Sequence, residues 1–238
     1  MTNHGETTRV AVVTGASQGL GAALARELDR DGWALVLDAR DGDRLERSAK
    51  GLADAHLVPG DVGDADHRAA LVARAAELGG ARLLVNNAST LGASPQPTVA
   101  DLTPEVLEYA WHTNLHAPVQ LIRALLPQLR AAGGTILNIS SDAAVEGYPG
   151  WGAYAASKAA LDQMSRVLGA EEPRLRVYAV DPGDMRTQMH QDAFPGEDIS
   201  DRPPPEAVVP HLVALLASDL PSGRYRAADI AVPAGAGR

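Results

Sequence analysis

The chain has 238 residues, 45% of them hydrophobic, and its 21 Lys and Arg against 30 Asp and Glu leave a net charge of −9. That apolar content suits one α/β domain with a sizeable core. The acidic balance, without a Lys/Arg cluster, argues against nucleic acid and against an anionic membrane surface as partners. Without cysteine there is neither a disulfide framework nor a thiolate metal site. The start, Met1–Arg9, lacks the apolar core of a signal peptide, and no apolar run approaches the roughly 18 residues of a membrane span. A cytoplasmic protein is the expectation.

In chain order, Arg9–Thr14 is a short β-branched run, the pattern of a strand buried on both faces. It runs into Gly15-Ala-Ser-Gln-Gly-Leu-Gly21 and then into the helical pattern Ala22–Leu28. Strand, glycine turn and helix start together make an anion site. Glycines let the backbone approach closely, and the free N–H groups and dipole of the helix end attract a phosphate. A packing turn without a ligand is the alternative.

Trp33–Asp38 reads as the second strand, followed by a helix over about 42–53. The end of that strand is where a dinucleotide fold meets the adenosine ribose. An acidic residue there suits the 2′-hydroxyl of NAD, an arginine the 2′-phosphate of NADP. This chain offers both, Asp38 and Arg40, and a solvated surface ion pair is the plainer reading of the two.

His56–Val62 is a third strand, 65–78 a helix, and Arg82–Ala88 a fourth strand ending in polar residues. Residues 105–130 carry a long helical pattern interrupted by Pro118, where a kink or break is expected. Gly134–Ser140 is the fifth strand and delivers Ser141 at its end. A helix over Ala153–Leu168 follows, then a sixth strand, Leu175–Val180, closed by Asp181, Pro182 and Gly183. Residues 184–205 show no periodicity and carry Pro195, Gly196 and Pro203–Pro205, so they read as a long functional or mobile loop. A last helix over about 206–217 and an edge strand near 223–228 complete the chain.

Alternating strands and helices predict an α/β fold, a parallel doubly wound sheet with right-handed crossovers and helices on both faces. Ligands in such sheets lie beyond the strand C-termini. The ends of five strands carry Gly15, Asp38, Asn86, Ser141 and Pro182, all on that edge. Tyr154 and Lys158, four apart on a helix, share one face, so phenol and ammonium point into one space. Alone, that pair is an ordinary surface turn; the convergence makes it a site. His112 and His116 are also four apart, but no third ligand has suitable spacing and no metal is expected.

Thr14-Gly-x3-Gly-x-Gly21, Asn86-Asn87-Ala88, Asn114, Ser141, Tyr154-x3-Lys158 and Pro182-Gly183 with Thr187, in this order, resemble the short-chain dehydrogenase/reductase family over about residues 9–218. Within it, Glu171–Tyr178, Met189-His-Gln and Ser222–Tyr225 are similar to sepiapterin reductase and bacterial dicarbonyl reductases. The resemblance implies one Rossmann-type NAD(P)-binding domain over 1–238. Residues 8–183 would form the cofactor-binding and catalytic core, 184–205 a substrate lid, and 206–238 the C-terminal helix and tail. It also implies a carbonyl/alcohol oxidoreductase with Tyr154 as general acid/base, Lys158 lowering the phenol's pKa and holding the nicotinamide ribose, and Ser141 stabilising the reacting oxygen. Asn114 would position a water.

For the cofactor, the resemblance places Gly15, Ser17, Gln18, Gly19, Leu20 and Gly21 at the pyrophosphate and Asp38 and Arg40 at the ribose. Asp61 and Val62 would meet the adenine, Asn87 and Ala88 the adenosine side, and Pro182, Gly183 and Thr187 the nicotinamide. Gln18 stands where NADP users often carry a base, and Asp38 points the reading to NAD while Arg40 keeps NADP open. Tyr148, Trp151, Asp184, Met185, Met189 and His190 are the residues expected around a small carbonyl or alcohol substrate. Asp184 could favour a polar or cationic one. Other activities remain open: 3-oxoacyl-thioester or hydroxysteroid chemistry, or a cofactor-binding sensor without turnover. A homodimer or homotetramer through the helices of Asn114 and Tyr154 is expected.

Overall fold

The computed structural model describes residues 8–233. The polar start through Thr7 and residues 234–238 of the tail lie outside the described residues. Seven parallel strands form one sheet in the order β3-β2-β1-β4-β5-β6-β7. They are β1 Val10–Val13, β2 Ala34–Ala39, β3 Ala55–Pro59, β4 Ala81–Asn86, β5 Thr135–Ile139, β6 Arg176–Asp181 and β7 Gly223–Arg226. Strand order reverses between β1 and β4, which opens the crevice where such sheets bind ligands.

The strands are apolar on both faces because both faces are covered. In β1, Ala11 and Val13 pack on the side of α1 (Gly19–Arg30), α2 (Gly42–Ala49) and α8 (Val209–Ala217). Val10 and Val12 pack on the side of α3 (Ala65–Glu77) and α5 (Ala117–Ala132), which α6 (Gly152–Glu171) also covers through Leu168. One polar set interrupts this second layer. Asn138 of β5 accepts from Asn86 Nδ2 at 2.7 Å and donates to Ser165 Oγ of α6 at 2.8 Å. Buried amides are tolerated when paired in this way, and this pairing locks α6 in position against β4 and β5.

Three expectations are sharpened. The 105–130 pattern is not one helix: α4 (Pro104–Trp111) meets a π turn at His112–His116 before α5 begins. Pro118 has no N–H to give the Asn114 carbonyl four residues back, which disfavours a continuous α-helical ladder there. Residues 184–205 are not wholly irregular either. Thr187 caps a short helix, α7 (Gln188–Ala193), accepting from the His190 N–H, and six residues are too few to show a period. The last helix starts later than expected, after a 3₁₀ turn at Pro205–Ala207. No helix among the described residues is long and apolar enough to cross a membrane.

Candidate active site

Beyond the strand C-termini lies a cleft of about 640 Å³, within the range of small-molecule and cofactor sites. The glycine turn forms one wall. A Cβ on Gly21 would stand 2.5 Å from both the Gly15 carbonyl oxygen and Asn87 Nδ2, so only glycine lets the turn close onto the helix. Thr14 and Asn87 knit the turn to β4: Thr14 Oγ1 accepts from the N–H groups of Asn87 and Ala88, both at 3.0 Å, and Asn87 Nδ2 donates to the Thr14 and Gly15 carbonyls. Asn87 is therefore the brace of the loop.

Gly15, Ser17, Gln18, Gly19, Leu20, Asp38, Arg40, Asp61, Val62, Asn87 and Ala88 line this end of the cleft. Gly21 lies behind the lining. Asp38 does not present a free carboxylate to a ribose. It is buried, its Oδ1 accepting from the Gly15 N–H at 2.8 Å and its Oδ2 3.0 Å from His67 Nε2. Burial pushes its carboxyl above the ordinary value, against the pull of His67 and Gly15. Arg40 is exposed and donates to the Tyr109 hydroxyl at 2.8 Å. Gln18, which lacks a charge, recruits one: its Oε1 accepts from Arg44 Nη1 at 2.7 Å.

Ser141, Trp151, Tyr154, Lys158, Pro182, Gly183, Asp184, Met185, Thr187, Met189 and His190 line the other end. Lys158 and Tyr154 are both buried, with Lys158 Nζ 5.6 Å from the centre of the Tyr154 ring and donating to the Ile139 carbonyl at 2.7 Å. Burial pushes the phenol up to about 12, opposed by the Ser141 and Ser89 hydroxyls and reinforced by Asp142 and Asp181. Burial pushes the ammonium down to about 8, opposed by Asp162. Ser141 Oγ donates to Asp142 Oδ1 at 3.0 Å.

Asn114 is outside the lining. Its Oδ1 accepts from the Thr90 N–H (2.8 Å) and Ser89 Oγ (3.1 Å), while Nδ2 donates to the Thr90 carbonyl (2.8 Å) and Ser157 Oγ (2.9 Å). These four bonds exhaust an amide's capacity, so the side chain has none left for a water. It pins the 89–90 loop to α6 instead. Tyr148 is also outside the lining, because its hydroxyl donates to Asp142 Oδ2 at 2.8 Å and its ring backs the edge of Trp151. Asp184 lies 3.6 Å from Arg202 Nε and 3.8 Å from His190 Nδ1, so its charge is shared within its own segment. Leu91, Trp151, Met189 and Ala193 form an apolar wall with Tyr154.

The sequence reading missed His67, Arg44, Asp142 and Arg224. Arg224, on β7, donates through Nη2 to the Ser141 carbonyl at 2.9 Å and through Nε to Asp162 at 2.8 Å. It ties the edge strand to the serine's backbone and to the carboxylate beneath the lysine. A signal existed only for Asp162 and Lys158, which are four apart; the arginine is more than sixty residues away.

The short chain dehydrogenase family model matches residues 9–198, most of the chain. The chain is a short-chain dehydrogenase. It is an NAD(P)-dependent oxidoreductase of that family. It is 35% identical to sepiapterin reductase of Bos taurus over 199 residues, 76% of this chain and 74% of that protein. It is 31% identical to an uncharacterized oxidoreductase, YciK, of Escherichia coli strain K12 over 221 residues, 89% of this chain and 87% of that protein. A short chain dehydrogenase of Shigella flexneri 2a, solved with NADP, superposes with a TM-score of 0.85 at 29% identity, covering 92% of this chain and 97% of that one.

The ion pair that anchors this dehydrogenase's serine is testable by its burial. The Asp162 side chain is 5% exposed beside Arg224, whereas Asp219 is 99% exposed beside Arg176. Arg224→Met leaves a buried carboxylate without its partner, a loss of about 3–5 kcal/mol, and Arg176→Met loses about 1 kcal/mol or less. Thermal melts of both variants are expected to show a far larger drop for Arg224→Met; equal drops contradict the assignment.

Proposed function

We propose that this dehydrogenase interconverts a ketone or aldehyde and an alcohol by hydride transfer, with Tyr154 as the proton donor and acceptor. The observation that carries the reading is one buried cation and one buried phenol sharing the cleft end that Ser141 borders. No ordinary surface turn buries a lysine against a backbone carbonyl. The residues fit a dinucleotide: the glycine turn lines the cleft where it runs into the N-terminus of α1, and the buried Ser140 hydroxyl on the cleft wall has no partner among the described residues.

The cofactor supplies the hydride and, when oxidised, a positive charge near the phenol. Everything else is the chain's work. Bringing this phenol from about 12 to about 7–8 needs roughly 5–7 kcal/mol of preference for phenolate. A cation about 4 Å away at an effective dielectric of about 20 supplies roughly 4 kcal/mol. Lys158, whose Nζ stands 5.6 Å from the centre of the Tyr154 ring, and the oxidised cofactor are the cations that would act together, and Asp162 offsets the cost of burying the lysine. Ser141 turns its hydroxyl from Asp142 to the reacting oxygen and steadies the developing charge. The wall of Leu91, Trp151, Met189 and Ala193 suits a carbonyl that bears an apolar or aromatic group, and Trp151 meets the Tyr154 ring edge-on at 5.6 Å.

Removing the phenol alone is the direct test. Tyr154→Phe is expected to lower kcat by about 10²–10⁴-fold across a panel of aromatic ketones, diketones and secondary alcohols followed by nicotinamide absorbance, with cofactor affinity retained. A panel on which wild type is no faster than Tyr154→Phe contradicts enzymatic turnover and favours a cofactor-binding sensor.

We further propose NADP(H) as the preferred cofactor. Asp38 is engaged elsewhere, and two guanidinium groups, Arg40 and Arg44, line the ribose corner. Such groups suit a phosphate monoester. Isothermal titration is expected to give tighter binding of NADPH than NADH. Arg40→Ala and Arg44→Ala should each weaken NADPH about tenfold while leaving NADH nearly unchanged. Tighter NADH binding by wild type contradicts it.

A further inference from the structure

At the end of β2 the chain carries an acid and a base that specify opposite cofactors, and the structure shows why they do not compete. We propose that His67 sets nucleotide selectivity: it holds the Asp38 carboxylate against the glycine turn, takes it away from the ribose 2′ position, and leaves that position to Arg40 and Arg44. The inference rests on the NADP(H) reading above and adds its cause.

Three features build the device. The Asp38 side chain is 2% exposed and that of His67 8% exposed, with Oδ2 and Nε2 3.0 Å apart. The other carboxylate oxygen accepts from the Gly15 N–H at 2.8 Å, so each oxygen is already held by the protein and the buried side chain is turned from a ribose hydroxyl. Finally, His67 lies near the start of α3, on the far side of the β3 end, and its ring reaches Asp38 by crossing Gly60. A Cβ on Gly60 would stand 2.3 Å from His67 Nδ1, a contact no side chain tolerates. Glycine at 60, histidine at 67 and aspartate at 38 are thus one unit assembled from three elements.

The electrostatics follow. An unpaired carboxylate beside a 2′-phosphate repels it, and the repulsion grows as water is excluded. With an imidazole and a backbone amide both on the carboxylate, its charge is offset where it stands. The arginines meet no such offset from Asp38: Arg40 bonds a neutral phenol and Arg44 a neutral amide. Arg44 also lies 3.6 Å from the Asp41 carboxylate, an exposed pair that water screens. The corner therefore offers two guanidinium groups to a phosphate although Asp38 lies on the same strand end, with the Asp41 and Asp61 carboxylates also at its border.

The test is binding rather than turnover. NADPH and NADH are titrated by calorimetry into wild type, Asp38→Asn, His67→Leu, His67→Gln and the Asp38→Asn/His67→Leu double variant. Asp38→Asn is expected to change the NADH-to-NADPH ratio of Kd less than about threefold, since the carboxylate does not read the ribose. His67→Leu frees the charge and should cut the preference for NADPH about tenfold or more. The double variant restores it, and His67→Gln, which keeps a donor, retains it.

Asp38→Asn weakening NADH about tenfold would mean that the carboxylate reads the ribose after all, and the proposal falls. His67→Leu weakening both cofactors equally makes His67 a structural pin only, and it falls again. If His67→Leu does not fold, Asp38→Asn and His67→Gln decide. A wild type that prefers NADH overturns the NADP(H) reading itself, whereas a wild type that prefers NADPH with selectivity lost in Asp38→Asn overturns only the role of His67.

Discussion

The buried ammonium of Lys158 is the constraint on which the site depends. A cation removed from water is costly unless it is paired and hydrogen-bonded, and burial pushes this one down to about 8, a shift worth about 3 kcal/mol. Three neighbours offset that cost. The Ile139 carbonyl at the end of β5 accepts a hydrogen bond from it, Asp162 one helical turn on supplies negative charge, and Arg224 holds Asp162 in place from the edge strand. The lysine is therefore fixed in position by β5, α6 and β7 together, and Ser141 is fixed with it because the same arginine bonds its carbonyl.

A similar logic holds the rest of the cleft. Asn114, in the π turn ahead of Pro118, spends all four of its side-chain hydrogen bonds on Thr90, Ser89 and Ser157, and Ser157 in turn donates to the Tyr154 carbonyl at 2.7 Å. Thr14 and Asn87 brace the glycine turn against β4. Side chains that resemble ligand-binding groups in the sequence are here the supports of such groups. The same is true of Asp38, whose carboxylate accepts from the Gly15 N–H and lies against His67.

Much of this was legible in the sequence, and for a physical reason. Strands buried on both faces, such as Val10–Val13, must be continuously apolar, and a phosphate turn must be glycine-rich where Gly21 packs against Gly15 and Asn87. Local constraints leave local patterns. What was not legible depends on contacts across the sheet. Arg224 reaches Ser141 over a separation of 83 residues and Asp38 meets His67 over 29; neither spacing carries a period. The short helix α7 escaped notice because six residues make fewer than two turns. That the Asn114 side chain would bond Thr90, Ser89 and Ser157 was not legible either, because a side chain's partners are set by the fold, not by its motif.

The central claim is that the phenol of Tyr154, pushed up to about 12 by burial in the protein alone, is brought into the working range by positive charge. An ultraviolet difference titration of wild type and Tyr154→Phe, each saturated with oxidised NADP, measures it directly. The account predicts a tyrosinate band in wild type with a midpoint at about pH 7–8, absent from Tyr154→Phe and moved to higher pH in Lys158→Met. Superimposable titrations of wild type and Tyr154→Phe below about pH 10 would contradict it.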